Sequence, residues 1–178
     1  MAVSVTAALL VWRNMIFISL IITVLLIGAD QYIKYWAETN LVPGTTQSVI
    51  KIGDTEIFNL TYCENRGAAF SFLSGKQTLL IAITIVALIA ITVFVLRSKS
   101  KSILLFTAYT LIISGGIGNL IDRVSQGYVI DYIEFRMFNF AIFNFADICV
   151  VIGGMLMVLY VFITERKAMQ ISNGETNG

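Results

Sequence analysis

Histidine is missing from all 178 residues, which removes imidazole as base, proton shuttle or metal ligand and, with it, Ser-His-Asp, Cys-His and HExxH chemistry. Charge is scarce as well: 13% of the residues are Asp, Glu, Lys or Arg, against roughly 25% in an ordinary soluble domain. The formal charge is +1 and no basic stripe is present, so the chain lacks the electrostatic footprint of a nucleic-acid binder. Cysteine occurs twice, at Cys63 and Cys149, with neither a CxxC pair nor a metal-ligand spacing. These two read as structural thiols, bridged only if the fold brings them within bonding range. What the chain has in excess is apolar surface, with 57% apolar residues and a mean hydropathy of +0.84. A chain this short cannot bury so much, so the excess must face lipid, and residues 1–178 are expected to form one compact membrane unit.

Four apolar stretches stand apart: Met15–Ala29, Leu79–Leu96, Ile103–Ile121 and Ile148–Ile163. Each extends into its flanks to the roughly 20 residues that cross about 30 Å of hydrocarbon. Transmembrane helices are therefore expected at about 14–36, 77–97, 102–122 and 145–165. The first runs into Asp30-Gln31-Tyr32-Ile33-Lys34 without a small-x-small cleavage site, so it reads as a retained span, not a removed signal sequence. Lys and Arg divide six to six between the two sides. Position breaks the tie: Arg13, Arg97, Lys99, Lys101, Arg166 and Lys167 crowd short flanks, whereas the other six are spread among nine acidic residues in long connections. Both termini are expected to be cytoplasmic.

The connection from about residue 40 to 72 is too long for a simple turn. Ser48–Ile52 and Glu56–Tyr62 are rich in β-branched and aromatic residues around Gly53-Asp54, which predicts a β-hairpin outside the membrane. The tract Asn65 to Phe72 is expected to return the chain to the membrane surface. Between Arg123 and Phe143, aromatic residues mix with Asp131, Glu134 and Arg136, which predicts a segment lying at the interface.

Few polar residues are placed to do chemistry. Asp30 and Lys34 are four apart at the outer end of the first span and can pair. Asn119, Asp122 and Arg123 share a face just after Gly115-Gly116-Ile117-Gly118, whose glycines permit close approach of a neighbouring helix. Arg123 could bind two carbonyls with its planar fork, or a carbonyl and a carboxylate such as Asp122. Asp131 and Asp147 are the candidate catalytic pair. On one continuous helix they would stand about 24 Å apart on nearly opposite faces, so the chain must reverse between them, near Asn139-Phe140. Asn144 suits an N-cap with Asp147 in the first helical turn. Brought together in a partly desolvated pocket, the two carboxyls would share one proton, as an aspartyl protease requires. Amide and arginine neighbours offer too few hard oxygen ligands for a cation, so no metal is expected.

At these residues the sequence resembles the lipoprotein signal peptidases, also called signal peptidase II. The likeness runs in order through Asp30-Gln31-Tyr32-Ile33-Lys34, Asn65 to Ser71, Gly115 to Arg123, Val129-Ile130-Asp131-Tyr132 and Phe143-Asn144-Phe145-Ala146-Asp147. Tyr132 stands where phenylalanine is more usual, and Phe145 where an aliphatic residue is common. The resemblance implies an all-α membrane protein of four transmembrane helices with a small extracytoplasmic β-cradle and a short extracytoplasmic interfacial helix around Asp131. It implies Asp131 and Asp147 as catalytic dyad, Asn65, Gly67, Asn119, Arg123 and Asn144 as substrate-binding residues, and Asp30, Lys34 and Asp122 as their support. It also implies cleavage of diacylglyceryl prolipoproteins in the bacterial inner membrane, near its outer face, without a cofactor and in contact with membrane lipid; a monomer is the default expectation.

Three other functions compete, of which a purely structural membrane subunit leaves the number of convergent acids and amides unexplained. Intramembrane acids also mark proton relays in transporters, but here they gather at one side and no internal repeat is present. A Ser-Lys protease would need Lys34 beside Ser71 or Ser114, and no local motif brings them together.

Overall fold

The structure, a computed structural model, describes residues 2–67, 73, 75–98, 100, 102–137 and 140–175. Among these residues four helices, α1 (Ala2–Asn40), α2 (Gln77–Ser98), α3 (Ile103–Ser125) and α4 (Phe145–Glu175), and three strands, β1 (Thr46–Ile52), β2 (Thr55–Asn65) and β3 (Val129–Phe135), run in the order α1-β1-β2-α2-α3-β3-α4. Each helix contains a window long and apolar enough to cross a membrane: Leu10–Asn40, Gln77–Ser98, Ile103–Ser125 and Phe145–Arg166. The first helix thus runs well beyond the expected 14–36. Half of the α3 window is buried inside the protein, against 11% for α1 and for α2 and 17% for α4. α3 is accordingly the hub on which the other three helices pack.

Small residues make that possible. A Cβ on Gly115 would collide with the carbonyl oxygen of Ala146, and one on Gly153 would meet the Ala108 carbonyl at 2.9 Å, so α3 and α4 touch backbone to backbone at both places. The outward faces stay apolar, with Val24, Leu25, Val86, Met155 and Val158 each about two-thirds exposed or more. Only a hydrocarbon solvent accommodates such a surface without a hydrophobic penalty.

The hairpin forms as expected. Gly53, at φ +59°, occupies the left-handed position of the two-residue turn that pairs Ile52 with Thr55. The connection after α3 departs from expectation. The segment around Asp131 is strand β3, paired antiparallel to β2, not an interfacial helix. Val129–Phe135 reads V-I-D-Y-I-E-F, β-branched or aromatic at five of its seven positions, and the second edge of β2 supplies backbone partners that a helix at the interface would leave unused. The resulting sheet has the order β1-β2-β3. Ala37 of α1 and Leu41 just after it pack with Ile130 and Tyr132, which seats the sheet on the end of the bundle where α1 finishes.

From Leu60 to Cys63 β2 advances three residues while β3 advances two, a bulge that puts Cys63 opposite Asp131 and Asn65 opposite Val129. The chain then doubles back: Phe143 accepts from the amides of Tyr132 and Ile133 and donates to the Ile133 carbonyl. This is the reversal that the acid pair requires. Residue Asn139, where it was expected, and residues 68–72 of the Asn65–Phe72 tract lie outside the described residues.

Candidate active site

The amino end of α4 is where the site begins. A helix leaves its first amides without internal partners, and here side chains take them. Asn144 is the N-cap: its Oδ1 accepts from the Asp147 amide at 3.0 Å, and Asp147 Oδ2 accepts from the Asn144 amide at 3.2 Å. That reciprocal arrangement is a capping box with aspartate in the usual glutamate place. Asp30 Oδ1 takes the Ala146 amide at 3.0 Å and the Tyr132 hydroxyl takes that of Phe145 at 3.2 Å. With its backbone donors satisfied and the positive end of the helix dipole beneath it, the Asp147 side chain sits where negative charge is favoured.

Asp131 approaches from β3 and is almost wholly buried, at 1% exposure. Asn65 Nδ2 donates to its Oδ2 at 2.9 Å and Asn144 Nδ2 to its Oδ1 at 2.6 Å. Burial, and then the charge of Asp147, push the Asp131 carboxyl up to about 7 despite these two donors. Asn119 Nδ2 donates to Asp147 Oδ1 at 2.8 Å. Among the described residues, the two acids bond only to neutral amides. They line one cavity of about 520 Å³, whose other walls include Phe140, Val150, Val151 and Ile152.

Behind this lies a second acid pair. Asp30 and Asp122 both bind Lys34 Nζ, at 2.9 and 2.8 Å, and Lys34 is 2% exposed. Asp122 also accepts from the Ile130 amide at 3.3 Å, which fastens β3 to α3. Gln31 donates to both carboxylates and to the Gly118 carbonyl. There is no room for a side chain on Gly118, since a Cβ would lie 2.5 Å from Asp30 Oδ2.

Arg123 donates to two carbonyls, those of Asn119 at 3.3 Å and Gly67 at 3.1 Å. It makes no ion pair with Asp122, whose charge is committed to Lys34. The Gly67 amide in turn donates to Asn65 Oδ1 at 2.9 Å. All ten residues singled out from the sequence thus meet around one cavity or the charge cluster behind it. Gln31 and Tyr132 were quoted only as parts of motifs, and their roles depend on long-range partners that no local pattern encodes. Cys63 and Cys149 are free, and burial followed by the neighbouring Asp131 charge keeps the Cys63 thiol above its ordinary range. Ser114 donates to its own helix at the Leu111 carbonyl, and Lys34 spends its protons on Asp30, Asp122 and Asn119, so a Ser114–Lys34 couple is absent. Ser71 lies outside the described residues. Among the described residues no three Cys, Asp or Glu side chains converge as metal ligands.

Comparison with known proteins agrees on one family. The sequence model described as Signal peptidase (SPase) II matches residues 22–163. A lipoprotein signal peptidase of Clostridioides difficile is 40% identical over 149 residues, covering 84% of this chain and 97% of that protein. One from Enterococcus faecalis is 34% identical over 161 residues, covering 90% and 98%. A bacterial membrane enzyme solved by the in meso method at 2.3 Å resolution matches with TM-score 0.76 and 35% identity, over 83% of this chain and 88% of that one.

Proposed function

The chain belongs to the signal peptidase II family, and from that premise we propose that it is an aspartyl endopeptidase which cleaves diacylglyceryl-modified prolipoproteins before the lipidated cysteine. As a member of that family it is a peptidase and a multi-pass inner membrane protein. The observation that carries the mechanism is that Asp131 and Asp147 line one cavity while only uncharged amides bond to them, so repulsion and burial leave one proton between two carboxyls.

Asp147, at the helix terminus, is the carboxylate and Asp131 holds the proton. In the first step Asp147 removes a proton from water, the water oxygen bonds to the scissile carbonyl carbon, and Asp131 gives its proton to the carbonyl oxygen. A neutral tetrahedral diol results. In the second step the carbon–nitrogen bond breaks, Asp147 protonates the departing amine and Asp131 recovers a proton from a diol hydroxyl. Both acids return to their starting states and one water has been consumed.

Asn65, Gly67, Asn119, Arg123 and Asn144 surround the peptide, and Asp30, Lys34 and Asp122 brace them. The aliphatic wall of Val150, Val151 and Ile152 suits an apolar signal peptide entering from the bilayer, whose lipid also takes the substrate's acyl chains. In this reading the enzyme works as a monomer with both termini cytoplasmic and the dyad near the outer face. The test is to incubate purified protein with a diacylglyceryl prolipoprotein and measure released signal peptide. Release that EDTA does not diminish is expected. No release by folded protein, or a strict requirement for an added divalent ion, overturns the reading.

A further inference from the structure

Three asparagines aim their NH₂ groups at the dyad, and an asparagine is nearly symmetric in shape, so something must decide which end points where. In each case the decision falls to a partner that can only donate. Asn65 Oδ1 is held by the Gly67 amide and Asn144 Oδ1 by the Asp147 amide. Both of those locks are backbone groups, present whatever the side chains. Asn119 differs: its Oδ1 accepts from Lys34 Nζ at 2.9 Å.

The ammonium has three protons, and the structure accounts for all of them, on Asp30, Asp122 and Asn119. It has no lone pair to offer, so Asn119 can meet it only with oxygen. The Asn119 NH₂ is thereby turned to Asp147, 2.8 Å away. Asn144 Nδ2 also reaches Asn119 Oδ1, at 3.2 Å, but its two hydrogens are already shared with Asp131 at 2.6 Å and the Ile130 carbonyl at 3.3 Å. It is a poor substitute for the ammonium. A flipped Asn119 would present oxygen to the Asp147 carboxylate, which loses one donor and gains a repulsion.

We propose that Lys34 is a positioning residue for catalysis: its ammonium fixes the polarity of Asn119, and Asn119 in turn holds the Asp147 carboxylate in the pose that takes a proton from water. This role is separate from bracing the helices and rests on the reading of Asp147 as the water-activating acid.

Removing Lys34 alone would strand two buried carboxylates and could prevent folding. The test therefore uses Lys34→Met together with Asp122→Asn. Wild type holds two carboxylates and one ammonium; the double variant holds one carboxylate, so the cluster keeps a charge of −1. Asp122→Asn alone, which retains the ammonium, is the reference. Relative to it the double variant should lose about 30-fold in kcat while KM stays within about threefold, as the loss of one charge-assisted bond implies. Adding Asn119→Leu to the double variant should cost no more than about twofold further, because the bond it removes is already disordered. Equal kcat in the double variant and its reference overturns the proposal, as does a full additional loss from Asn119→Leu, which would show that Lys34 acts only as a brace. Asn119→Asp is an independent arm that leaves Lys34 fully bonded. It offers oxygen to both Lys34 and Asp147, so turnover should vanish in a folded protein, and near-normal turnover overturns the proposal. Wild type in the same prolipoprotein assay separates the levels: no cleavage there overturns the functional reading itself, whereas wild-type cleavage with indifferent variants overturns the Lys34 assignment alone.

Discussion

Two pairs of aspartates share one end of this bundle, and they differ in what stands between them. Asp30 and Asp122 are bridged by Lys34, both within 3 Å of its ammonium. Among the described residues, Asp131 and Asp147 are bonded only by asparagines. An ammonium bonded to two carboxylates cancels their repulsion; an amide orients them but brings no net charge, and Arg123, on the wall of the same cavity, bonds to carbonyls instead. The first pair ties α1, α3, β3 and α4 together. The second, given the same residue type and an equally buried Asp131, lines a cavity. Under the proposed mechanism, the lack of a bonded ammonium is what makes the second pair available for catalysis.

Substitutions that erase the difference should have the largest effects. Asp131→Asn and Asp147→Asn should each lower cleavage by roughly a thousandfold or more while the protein remains inserted and binds substrate, and the double variant should be scarcely worse than either. Asp122→Asn, at the neutralised pair, should keep measurable activity wherever the protein accumulates. A signal-peptide release assay with expression and substrate binding in parallel checks all four. Total loss confined to Asp122→Asn would invert the comparison.

Next is a stability effect with a defined sign. Asp131 has its carboxyl raised from the ordinary 3.8 to about 7 in the folded protein. Protonation in the folded state therefore stabilises fully below about pH 4, and that contribution is lost as pH rises through about 7, by up to about 4 kcal/mol. Asp131→Asn carries no such penalty. Thermal unfolding in detergent should show the variant gaining on wild type between pH 4 and pH 8; a gap independent of pH would place Asp131 among the neutralised acids.

The neutralised pair can be probed through its packing. Gly118→Ala would place a methyl group 2.5 Å from Asp30 Oδ2, an oxygen held by Lys34 and Gln31. A loss of about 1–3 kcal/mol is expected, against no loss for Gly154→Ala, where nothing lies within 4 Å. Equal melting temperatures would mean the cluster yields easily. The smallest expected effect is that of Arg123→Lys, roughly tenfold in cleavage. It keeps the charge but gives up the fork that spans the Asn119 and Gly67 carbonyls. Unchanged turnover would show that charge alone matters there.

Much of this was readable in advance because it is local. Apolar runs of about 20 residues can only be spans, Gly53-Asp54 between β-branched runs can only turn, and Asn144 three residues before Asp147 has the spacing of a cap. The Asp30–Lys34 pair follows from a separation of four on one helix. What escaped was non-local. Val129–Phe135 became a strand because the second edge of β2 was available to it, a fact absent from its own seven residues. Asp122 stands beside Arg123 in sequence, yet it pairs with Lys34, 88 positions away, because adjacent helical residues do not face each other and α1 packs where Lys34 can reach.

Sequence alone determined the solvent this protein lives in, the number of its spans and the exclusion of imidazole chemistry, since composition and short-range periodicity suffice for all of these. Only the tertiary structure decided which acids are neutralised and which are not. That depends on whether an ammonium or an amide occupies the space between them, and the occupant comes from a distant part of the chain, brought there by glycine-faced helix packing and by the pairing of β3 with β2.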